Sequence, residues 1–335
     1  MLKVLVVARN PNFLAPILRE LNRRGCEVQQ FVFSDDETFD LVQLHELMMR
    51  WADCAFFDWV YAPLPETSRF PTRCRISARM HRIEVYDKAK LVDWSRVHLI
   101  CTKTQYMRFQ KQIGLTPLSY TEANVGCNTA PAATPKKTFN HTLGLITYTP
   151  LPRKRIYTTI ESFFDLLSRS ESKDVDWTLH IRGAELTGFN DNVTAEYLKF
   201  IGEFSDTLKK MGLPVNRVVF HGFLKQEEYA KFLSSLDIII SNSMQEGYHQ
   251  SVFEAMAYGA SPLVHHWFGA ETLFPEKCLF LTQRDLVRKI IQWEQQSMME
   301  KQDLSLQVQK FVQEQHNEDC WAQKIVDAIL GEKQS

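Results

Sequence analysis

Short apolar runs alternate along this chain with stretches in which apolar residues recur at helical spacing. The opening run at residues 2–8 is typical of a buried parallel strand, residues 13–24 show the helical spacing, and residues 26–33 form a second strand-like run. A strand, a helix and a second strand in this order favour a doubly wound sheet with right-handed crossovers. The same patterns predict further strands at 54–60, 75–80 and 97–102 and a helix at 103–112.

The alternation stops at residues 127–141, which are rich in Pro, Ala, Thr and Asn and show no hydrophobic period, so we place an interdomain linker there. It then restarts and predicts a second parallel sheet. The second half has predicted strands at 142–147, 177–182, 217–220, 237–241 and 261–264, predicted helices at 155–167, 195–211, 227–236 and 252–258, and helical tracts near 285–299 and 320–330.

We therefore expect an α/β protein of two Rossmann-like domains, at residues 1–130 and 140–317. A C-terminal helix at about residues 318–335 is a candidate to pack back on the first domain. In open parallel sheets, ligands bind outside the carboxyl ends of the strands. Two such sheets that face each other would place the ligand in a central cleft.

Length and composition fit this expectation. A chain of 335 residues is long for one core and suits two domains. No apolar run approaches the roughly 20 residues that span a bilayer, and the first residues lack the pattern of a signal peptide, so we expect a cytoplasmic protein. The seven cysteines occur singly, without a C-x-x-C pair or a close His partner, which favours free thiols over a metal or redox site.

The small net charge hides an asymmetry between the two halves. Residues 1–140 carry a net charge of +5, and the remainder carries −6. Much of the positive excess comes from five arginines, Arg69, Arg73, Arg75, Arg79 and Arg82. These side chains form either an ordinary solvated face or a surface for an anionic acceptor or lipid headgroups, with peripheral contact at the inner face of the membrane.

Two carboxylates mark the strongest candidate for chemistry. Glu246 and Glu254 are separated by seven residues and follow the predicted strand 237–241, in a loop and at the start of a helix near Ser251. The amides at a helix N-terminus bind phosphate without a charged side chain, which suits a diphosphate. The alternative for Glu254 is a capping box, because the segment from Ser251 to Glu254 has the pattern S-x-x-E.

The segment EGYHQSVFEAMAYGASPLV resembles the E-x7-E signature of retaining glycosyltransferases with the GT-B fold, in particular family four of the usual classification of sugar transferases. The resemblance implies that Glu246 contacts hydroxyls of the donor sugar and that Glu254 binds the ribose. It also implies that the loop and helix start between the two glutamates hold the distal phosphate of the donor. That phosphate-binding stretch comprises Tyr248, His249, Gln250, Ser251 and Val252.

Further segments resemble the same family. LGLITYTPLPRKR resembles the loop that presents Lys and Arg to the donor diphosphate, which implies a role for Lys154 and for Arg153 or Arg155. VVFHGFLKQEEY resembles the loop that binds the base through backbone near a glycine, here Gly222 and Phe223, and leaves UDP and GDP as alternatives. For Arg153, Lys154 and Arg155, the alternative is that these basic side chains are only solvated charge at the start of a helix.

In the first half, ISARMHRIEVY resembles the loop that places a histidine near the donor sugar, which implies a catalytic role for His81; the alternative is a structural histidine. One segment departs from the family. The first loop of the family carries paired glycines, whereas residues 9–12 read Arg-Asn-Pro-Asn. Either the amides of Asn10 and Asn12 replace backbone contacts, or this loop serves an unusual acceptor.

The resemblance implies a retaining, metal-independent transfer of a sugar from a UDP- or GDP-sugar to a glycan, a lipid-linked saccharide or a similar acceptor. No D-x-D motif is present, so we expect neither a metal nor a cofactor beyond the donor. Transfer to nucleic acid, as in some bacteriophage enzymes, is an alternative that the near-neutral charge disfavours. The sequence is also compatible with a different enzyme on the same fold and with a non-catalytic nucleotide-sugar-binding protein. The donor sugar, the linkage formed and the oligomeric state stay open.

Overall fold

The structure is a computed structural model. It describes residues 1–9, 14–33, 40–61, 63–81, 88–114, 116–147, 151–169, 171, 174–183, 196, 199–200, 202–203, 206–207, 209–210, 212 and 214–332. The chain divides into two compact units. The first contains Met1–Gly126 together with His316–Ser335, and the second contains Cys127–Gln315.

Each unit contains a parallel sheet of six strands. The strands of the first unit are β1 (Lys3–Ala8), β2 (Glu27–Val32), β3 (Cys54–Asp58), β4 (Arg75–Arg79), β5 (Val97–Cys101) and β6 (Ser119–Glu122). Those of the second are β7 (Thr142–Thr147), β8 (Thr178–Gly183), β9 (Val218–Phe220), β10 (Ile238–Ser241), β11 (Ser261–His265) and β12 (Leu279–Phe280).

The α-helices whose bounds are described cover both faces of these sheets. They are α1 (Ala15–Arg23), α2 (Leu41–Arg50), α3 (Leu64–Thr67), α4 (Lys103–Ile113), α5 (Ile156–Ser168), α6 (Gln226–Ser235), α7 (Gln250–Ala257), α8 (Gln283–Glu294), α9 (Met298–Gln315) and α10 (Glu318–Leu330). None of these described helices is long and apolar enough to cross a membrane.

The first sheet has the order β2-β1-β3-β4-β5-β6, so the strand order reverses between β1 and β3. Successive side chains of a strand point to opposite faces. Val4 and Val6 of β1 therefore pack with Ile325 and Ile329 of α10 on one face. Leu5 and its neighbours on the other face pack against α2 and α4. The last helix of the chain thus completes the core of the first unit.

The second sheet has the order β12-β11-β10-β7-β8-β9, and its strand order reverses between β7 and β10. Leu143 and Leu145 of β7 face the cluster that includes α5 and α8. Ile146 and Ile239 face the opposite cluster, which includes α7. Central strands such as β7 and β10 are therefore buried on both faces, which explains their continuous apolar runs in the sequence.

These two doubly wound parallel sheets confirm the predicted fold class. The hydrophobic pattern did not predict α2, β6, β12 or most of α9. β6 is a largely exposed edge strand of sequence SYTE, and β12 has two residues, so neither has a hydrophobic pattern. The buried face of α9 includes polar side chains such as Ser305 and Gln309, which interrupt the helical period. About half of the residues of the predicted helix at 195–211 lie outside the described residues, and those that are described there are helical.

Candidate functional site

The strand order of the second sheet reverses between β7 and β10, and the loops that follow these two strands carry the predicted site residues. Arg153 to Arg155 come shortly after β7, and Asn242 to His249 come directly after β10. A reversal of strand order opens a crevice at the carboxyl edge of an open sheet, which is where ligands bind in this architecture.

An ion pair joins the two loops. The Lys154 ammonium donates a hydrogen bond to the Glu246 carboxylate, and both side chains are almost fully buried. The backbone N–H of Met244 donates to the Arg153 carbonyl at 2.9 Å, and the Arg153 guanidinium donates to the Gln245 carbonyl at 3.3 Å. These contacts fix the basic loop against the glutamate loop.

The electrostatics of this pair keep Glu246 ionised. Burial alone would raise the pKa of Glu246, but the neighbouring His249 and Lys154 lower it to about 2, with a hydrogen bond from Ser243 in the same direction. A buried carboxylate needs such partners, because an unpaired charge is costly in a low dielectric. The site therefore presents a fixed anion beside a fixed cation.

His249 lies where the loop after β10 meets α7. Its backbone is left-handed, with φ of 65°, a conformation that costs most residues energy. Its imidazole Nδ1 lies 2.6 Å from the Ser241 hydroxyl, and the ring also bonds the backbone carbonyl of Ile146. Burial lowers the pKa of His249 to about 4, so the ring is neutral near pH 7. The residue thus connects the ends of β7, β10 and α7.

The capping-box alternative for Glu254 is wrong. Helix α7 begins at Gln250, with His249 as its N-cap, so Ser251 lies inside the first turn instead of before it. The Glu254 carboxylate instead accepts a hydrogen bond of 2.7 Å from the Tyr229 hydroxyl of α6. Tyr229 was not predicted from the sequence, because no spacing rule connects it with Glu254.

The remaining residues predicted at the phosphate have different exposures. Val252 and Ser251 are buried, and Gln250 is half-buried at the first turn of α7. Tyr248 is buried and stacks on Phe253 with ring centroids 4.6 Å apart, so its ring belongs to the core. What this stretch offers a phosphate is therefore the N-terminal amides of α7, with the positive end of the helix dipole.

Arg155 also adopts a left-handed backbone, with φ of 51°, and is the N-cap of α5. Its carbonyl accepts hydrogen bonds from the hydroxyls of Thr158 and Thr159. Arg155 also acts electrostatically on His265 at the end of β11. Burial lowers the pKa of His265, and the positive charge of Arg155 lowers it further. The three basic residues of the loop therefore lie at the carboxyl edge of the sheet.

Gly222 and Phe223 follow β9. Gly222 has φ of 60°, and its carbonyl accepts a hydrogen bond of 3.1 Å from Gly183 at the end of β8. Phe223 is 59% exposed. The neighbouring Arg182 is buried, with its guanidinium 4.4 Å from the ring centroid of Tyr229 and 5.7 Å from that of Phe223. Arg182 was not among the predicted site residues, although a charged residue at the carboxyl end of an apolar strand is a usable signal.

In the first unit, His81 belongs to a polar cluster at the carboxyl ends of β3 and β4. Its Nε2 lies 3.2 Å from Asp58 at the end of β3, and Asp58 accepts a hydrogen bond of 2.7 Å from Arg79 at the end of β4. Burial would raise the pKa of Asp58, but Arg79 and His81 lower it to about 2. Burial lowers the pKa of His81, although Asp58 opposes this shift.

Trp59 completes this cluster. Its φ is 91°, and its ring stacks on His81 with centroids 3.9 Å apart. Indole Nε1 of Trp59, Oδ2 of Asp58 and Nη2 of Arg79 are buried and have no hydrogen-bond partner in the described structure. Such strain and such unsatisfied groups concentrate at functional sites. Apart from His81, the members of this cluster were not predicted as site residues.

The basic surface predicted in the first half does not form as a whole. Arg79 is buried in its pair with Asp58, and half-buried Arg75 donates to the Ala328 carbonyl of α10. A buried ion pair cannot meet lipid headgroups, so the prediction is wrong for Arg79. Arg69 and Arg73 are exposed, and Arg82 lies outside the described residues. Asn10 and Asn12 of the first loop also lie outside them.

Comparison with known proteins found a family model that part of the chain matches. Residues 163–327 match the family model described as Glycosyl transferase-like. The match covers nearly half of the chain, from within α5 to within α10, and includes Glu246 and Glu254. A search of curated proteins found no sequence that matches this chain.

Solved structures resemble the chain over nearly its whole length. Sucrose-phosphate synthase from Thermosynechococcus elongatus is 13% identical with a TM-score of 0.71, and the match covers 97% of each chain. An E. coli structure described as trehalose-6-phosphate bound with UDP-2-fluoro glucose is 10% identical with a TM-score of 0.73, over 98% of each chain.

TarM of S. aureus, solved with fondaparinux, alpha-GlcNAc-glycerol and UDP, is 13% identical with a TM-score of 0.64. The match covers 86% of this chain and 57% of TarM, so the chain spans little more than half the length of that protein. At these identities the neighbours establish the fold, which is GT-B.

Proposed function

We propose that the protein is a retaining glycosyltransferase that takes its sugar from a nucleoside diphosphate donor bound at the carboxyl edge of the second sheet. The ion pair between Lys154 and Glu246 carries this proposal. It places an ordered cation and an ordered acceptor of hydroxyl hydrogen bonds side by side, next to the N-terminus of α7. The cation suits the diphosphate of such a donor, and the hydrogen-bond acceptor suits the hydroxyls of its sugar.

The proposed contacts follow the positions of the side chains. Lys154 and the amides at the start of α7 would bind the diphosphate, with Arg153 or Arg155 as a second cation. The Glu246 carboxylate would accept hydrogen bonds from hydroxyls of the donor sugar. Glu254, held by Tyr229, would bind the ribose, and the backbone at Gly222 and Phe223 would receive the base.

In the proposed transfer, the bond between the anomeric carbon and the phosphate oxygen breaks while the acceptor oxygen bonds that carbon on the same face. The acceptor proton passes to the departing phosphate oxygen. Negative charge grows on the leaving diphosphate, and Lys154 and the α7 dipole stabilise it. These groups supply the positive charge, so we propose that the reaction needs neither a metal nor a cofactor.

We further propose that the acceptor binds at His81 and Trp59 of the first unit, which are partly exposed. Asp58 and Arg79 are buried and hold His81 in position. Because Asp58 neutralises Arg79, this cluster suits neutral hydroxyls better than an anionic group. The His81 imidazole can exchange hydrogen bonds with a hydroxyl. A glycan or a lipid-linked saccharide has this chemistry. Peripheral membrane contact remains a prediction that rests on the exposed Arg69 and Arg73.

The first experiment is thermal unfolding with UDP, GDP, ADP and their sugar conjugates. A ligand that binds only the folded state raises the unfolding temperature. We expect one nucleotide to raise it selectively, and the shift to shrink in Glu254→Ala and Lys154→Ala but not in Glu227→Ala, which removes an exposed carboxylate from α6. Two of the structural neighbours hold uridine nucleotides, so UDP is the first nucleotide to test.

The absence of a shift with every nucleotide would contradict the proposal, and an equal shift in Glu254→Ala would remove that residue from the site. A second assay measures nucleoside diphosphate release with glycans, lipid-linked saccharides and DNA as acceptors. Selective binding without release would support a non-catalytic binding protein. Release with DNA alone would support transfer to nucleic acid.

A further inference from the structure

A pocket of about 310 Å³ opens at the amino-terminal ends of β10 and β11, between α8 and α9. Ile238, the first residue of β10, and Ser261, the first residue of β11, line it. Its volume is within the range of small-molecule sites and about ten times the share of one water molecule. The pocket is therefore large enough for a small metabolite.

The pocket lies at the edge of the second sheet opposite to Lys154 and Glu246. β10 runs from Ile238 at the pocket to Ser241, directly before the loop of Glu246, and the three residue steps between them span roughly 10 Å. A ligand in this pocket would therefore be separate from the proposed donor.

The charged side chains of the pocket wall have one sign. Lys277 and Lys289 line it, and none of the described lining residues is acidic. Glu294 on the same helix is engaged elsewhere, since its carboxylate pairs with Lys301 at 3.3 Å and with His141 at 3.0 Å. The pocket thus offers a net positive potential to an anion.

Hydrogen bonds order both ammonium groups. Lys289 donates to the Lys277 carbonyl at 3.0 Å, and Lys277 donates to the Gln307 side chain at 3.3 Å. An ammonium has three donors, so each lysine retains capacity for a phosphate oxygen beyond these contacts. Two lysines fixed in this way resemble the point charges by which proteins bind phosphate groups.

A third polar group of the pocket wall is a hydrogen-bond acceptor that lacks a donor among the described residues. Gln296 lines the pocket, and its side-chain Oε1 is buried without a hydrogen-bond partner in the described structure. A buried amide oxygen of this kind is satisfied by a hydroxyl or amine of a ligand or by water. Leu263 and Val308 add apolar wall, and the Trp293 indole is held by a hydrogen bond of 3.1 Å to Ser261.

We propose that this pocket binds a small phosphate monoester that also carries hydroxyl groups. Lys277 and Lys289 bind the phosphate, the Gln296 amide oxygen accepts from a hydroxyl, and the carbon skeleton lies against the apolar wall. This site does not depend on the proposed glycosyltransferase activity, because none of its residues belongs to the donor or acceptor clusters.

The test is isothermal titration of the full chain with glycerol 3-phosphate, with glycerol as the uncharged control. We expect glycerol 3-phosphate to bind and glycerol not to bind. A charge-assisted hydrogen bond contributes about 1.5–3 kcal/mol, so Lys289→Ala and Lys277→Ala should each weaken binding about tenfold or more. Arg288→Ala is the matched control, because it removes an exposed cation that is adjacent on α8 but does not line the pocket.

A second control, Lys154→Ala, separates this pocket from the candidate donor site. We expect it to leave binding of glycerol 3-phosphate unchanged. Thermal unfolding checks that both variants are folded. We expect Lys289→Ala and Arg288→Ala to unfold at the same temperature. The proposal is overturned if wild type does not bind, if Lys289→Ala binds like wild type, or if Lys154→Ala abolishes binding.

Discussion

At the scale of single residues, the candidate donor site depends on Lys154 and Glu246, whose side chains compensate each other's charge in a buried setting. Each carries a full charge, and each is more than four-fifths buried. Removing one partner of such a pair leaves an uncompensated buried charge, whereas removing both charges leaves none. The pair therefore couples the stability of the second unit to the geometry of its site.

We expect Lys154→Ala to lower the free energy of unfolding by about 3 kcal/mol, because Glu246 stays buried without its cation. The double variant Lys154→Ala with Glu246→Gln should recover part of this loss. Urea unfolding of the wild type, both single variants and the double variant measures the coupling between the residues. Additive effects of the two substitutions would show that the pair does not couple in solution.

A second residue-scale prediction concerns the left-handed backbone of His249. Both His249→Gly and His249→Ala remove the imidazole, but only alanine retains a Cβ that opposes positive φ. We therefore expect the glycine variant to be more stable than the alanine variant by about 1 kcal/mol, the reverse of the order in a regular helix. Thermal unfolding of the two variants measures this difference, and a more stable alanine variant would contradict the assigned backbone.

The site residues that could be predicted from the sequence are those whose chemistry is local to a segment. Glu246, Glu254 and the basic loop are visible because they occur at recognisable spacings next to predicted strands. Tyr229 and Arg182 were not found, because their contacts with Glu254 and Phe223 join segments far apart in the chain. Their partners are decided by the packing of α6 and β8 and not by any spacing.

At the scale of elements, the ends of β7, β8 and β9 meet closely at Gly183. A Cβ built on Gly183 would overlap the backbone oxygen of Thr147, the last residue of β7. The Gly183 N–H also donates to Gly222 beyond β9. A side chain at this position would separate two strands that carry the loops of the candidate site.

We expect Gly183→Ala to destabilise the second unit by about 2 kcal/mol or more, because the clash is with backbone that cannot rotate away. The matched control is Gly202→Ala, where an added Cβ meets no atom within 4 Å. Urea unfolding measures both free energies. Equal stability of the two variants would show that the β7 and β8 ends are not in close contact.

The C-terminal helix shows how elements depend on distant sequence. α10 packs Ile325 and Ile329 into the core of the first unit, although β1 lies some 300 residues away in the chain. Its apolar period was visible in the sequence. From the sequence, packing on the first domain was only a candidate arrangement, because either sheet has an apolar face that a helix can cover.

At the scale of the whole molecule, buried histidines make folding stability depend on pH. Burial lowers the pKa of His98 in the first unit to about 4, and it lowers that of His249 in the second unit to the same value, from 6.5. A group whose pKa is lower in the folded state takes up its proton first in the unfolded state. The stability from these histidines is therefore complete above pH 6.5 and decreases as the pH falls to about 4.

We accordingly expect the free energy of unfolding to decrease from pH 7 to pH 4.5. In this range the folded protein keeps Asp58 and Glu246 ionised, because their pKa values are lowered to about 2. Urea unfolding at several pH values measures the slope. His98→Asn should reduce it, since asparagine keeps polar contacts with Ser119 and Thr121 but does not titrate. A slope that is the same in this variant and in the wild type would rule out His98 as a source.

The sequence by itself determined the fold class, because strands buried on both faces leave continuous apolar runs and their helices leave a helical period. It also predicted the two glutamates and the basic loop of the candidate site, which lie next to strand ends that the pattern locates. Only the tertiary structure decided that Arg79 is buried with Asp58 and that Trp59 adopts a left-handed backbone. It also decided that Glu254 binds Tyr229. These features depend on which strands and helices are neighbours, and that is fixed by packing across the whole unit.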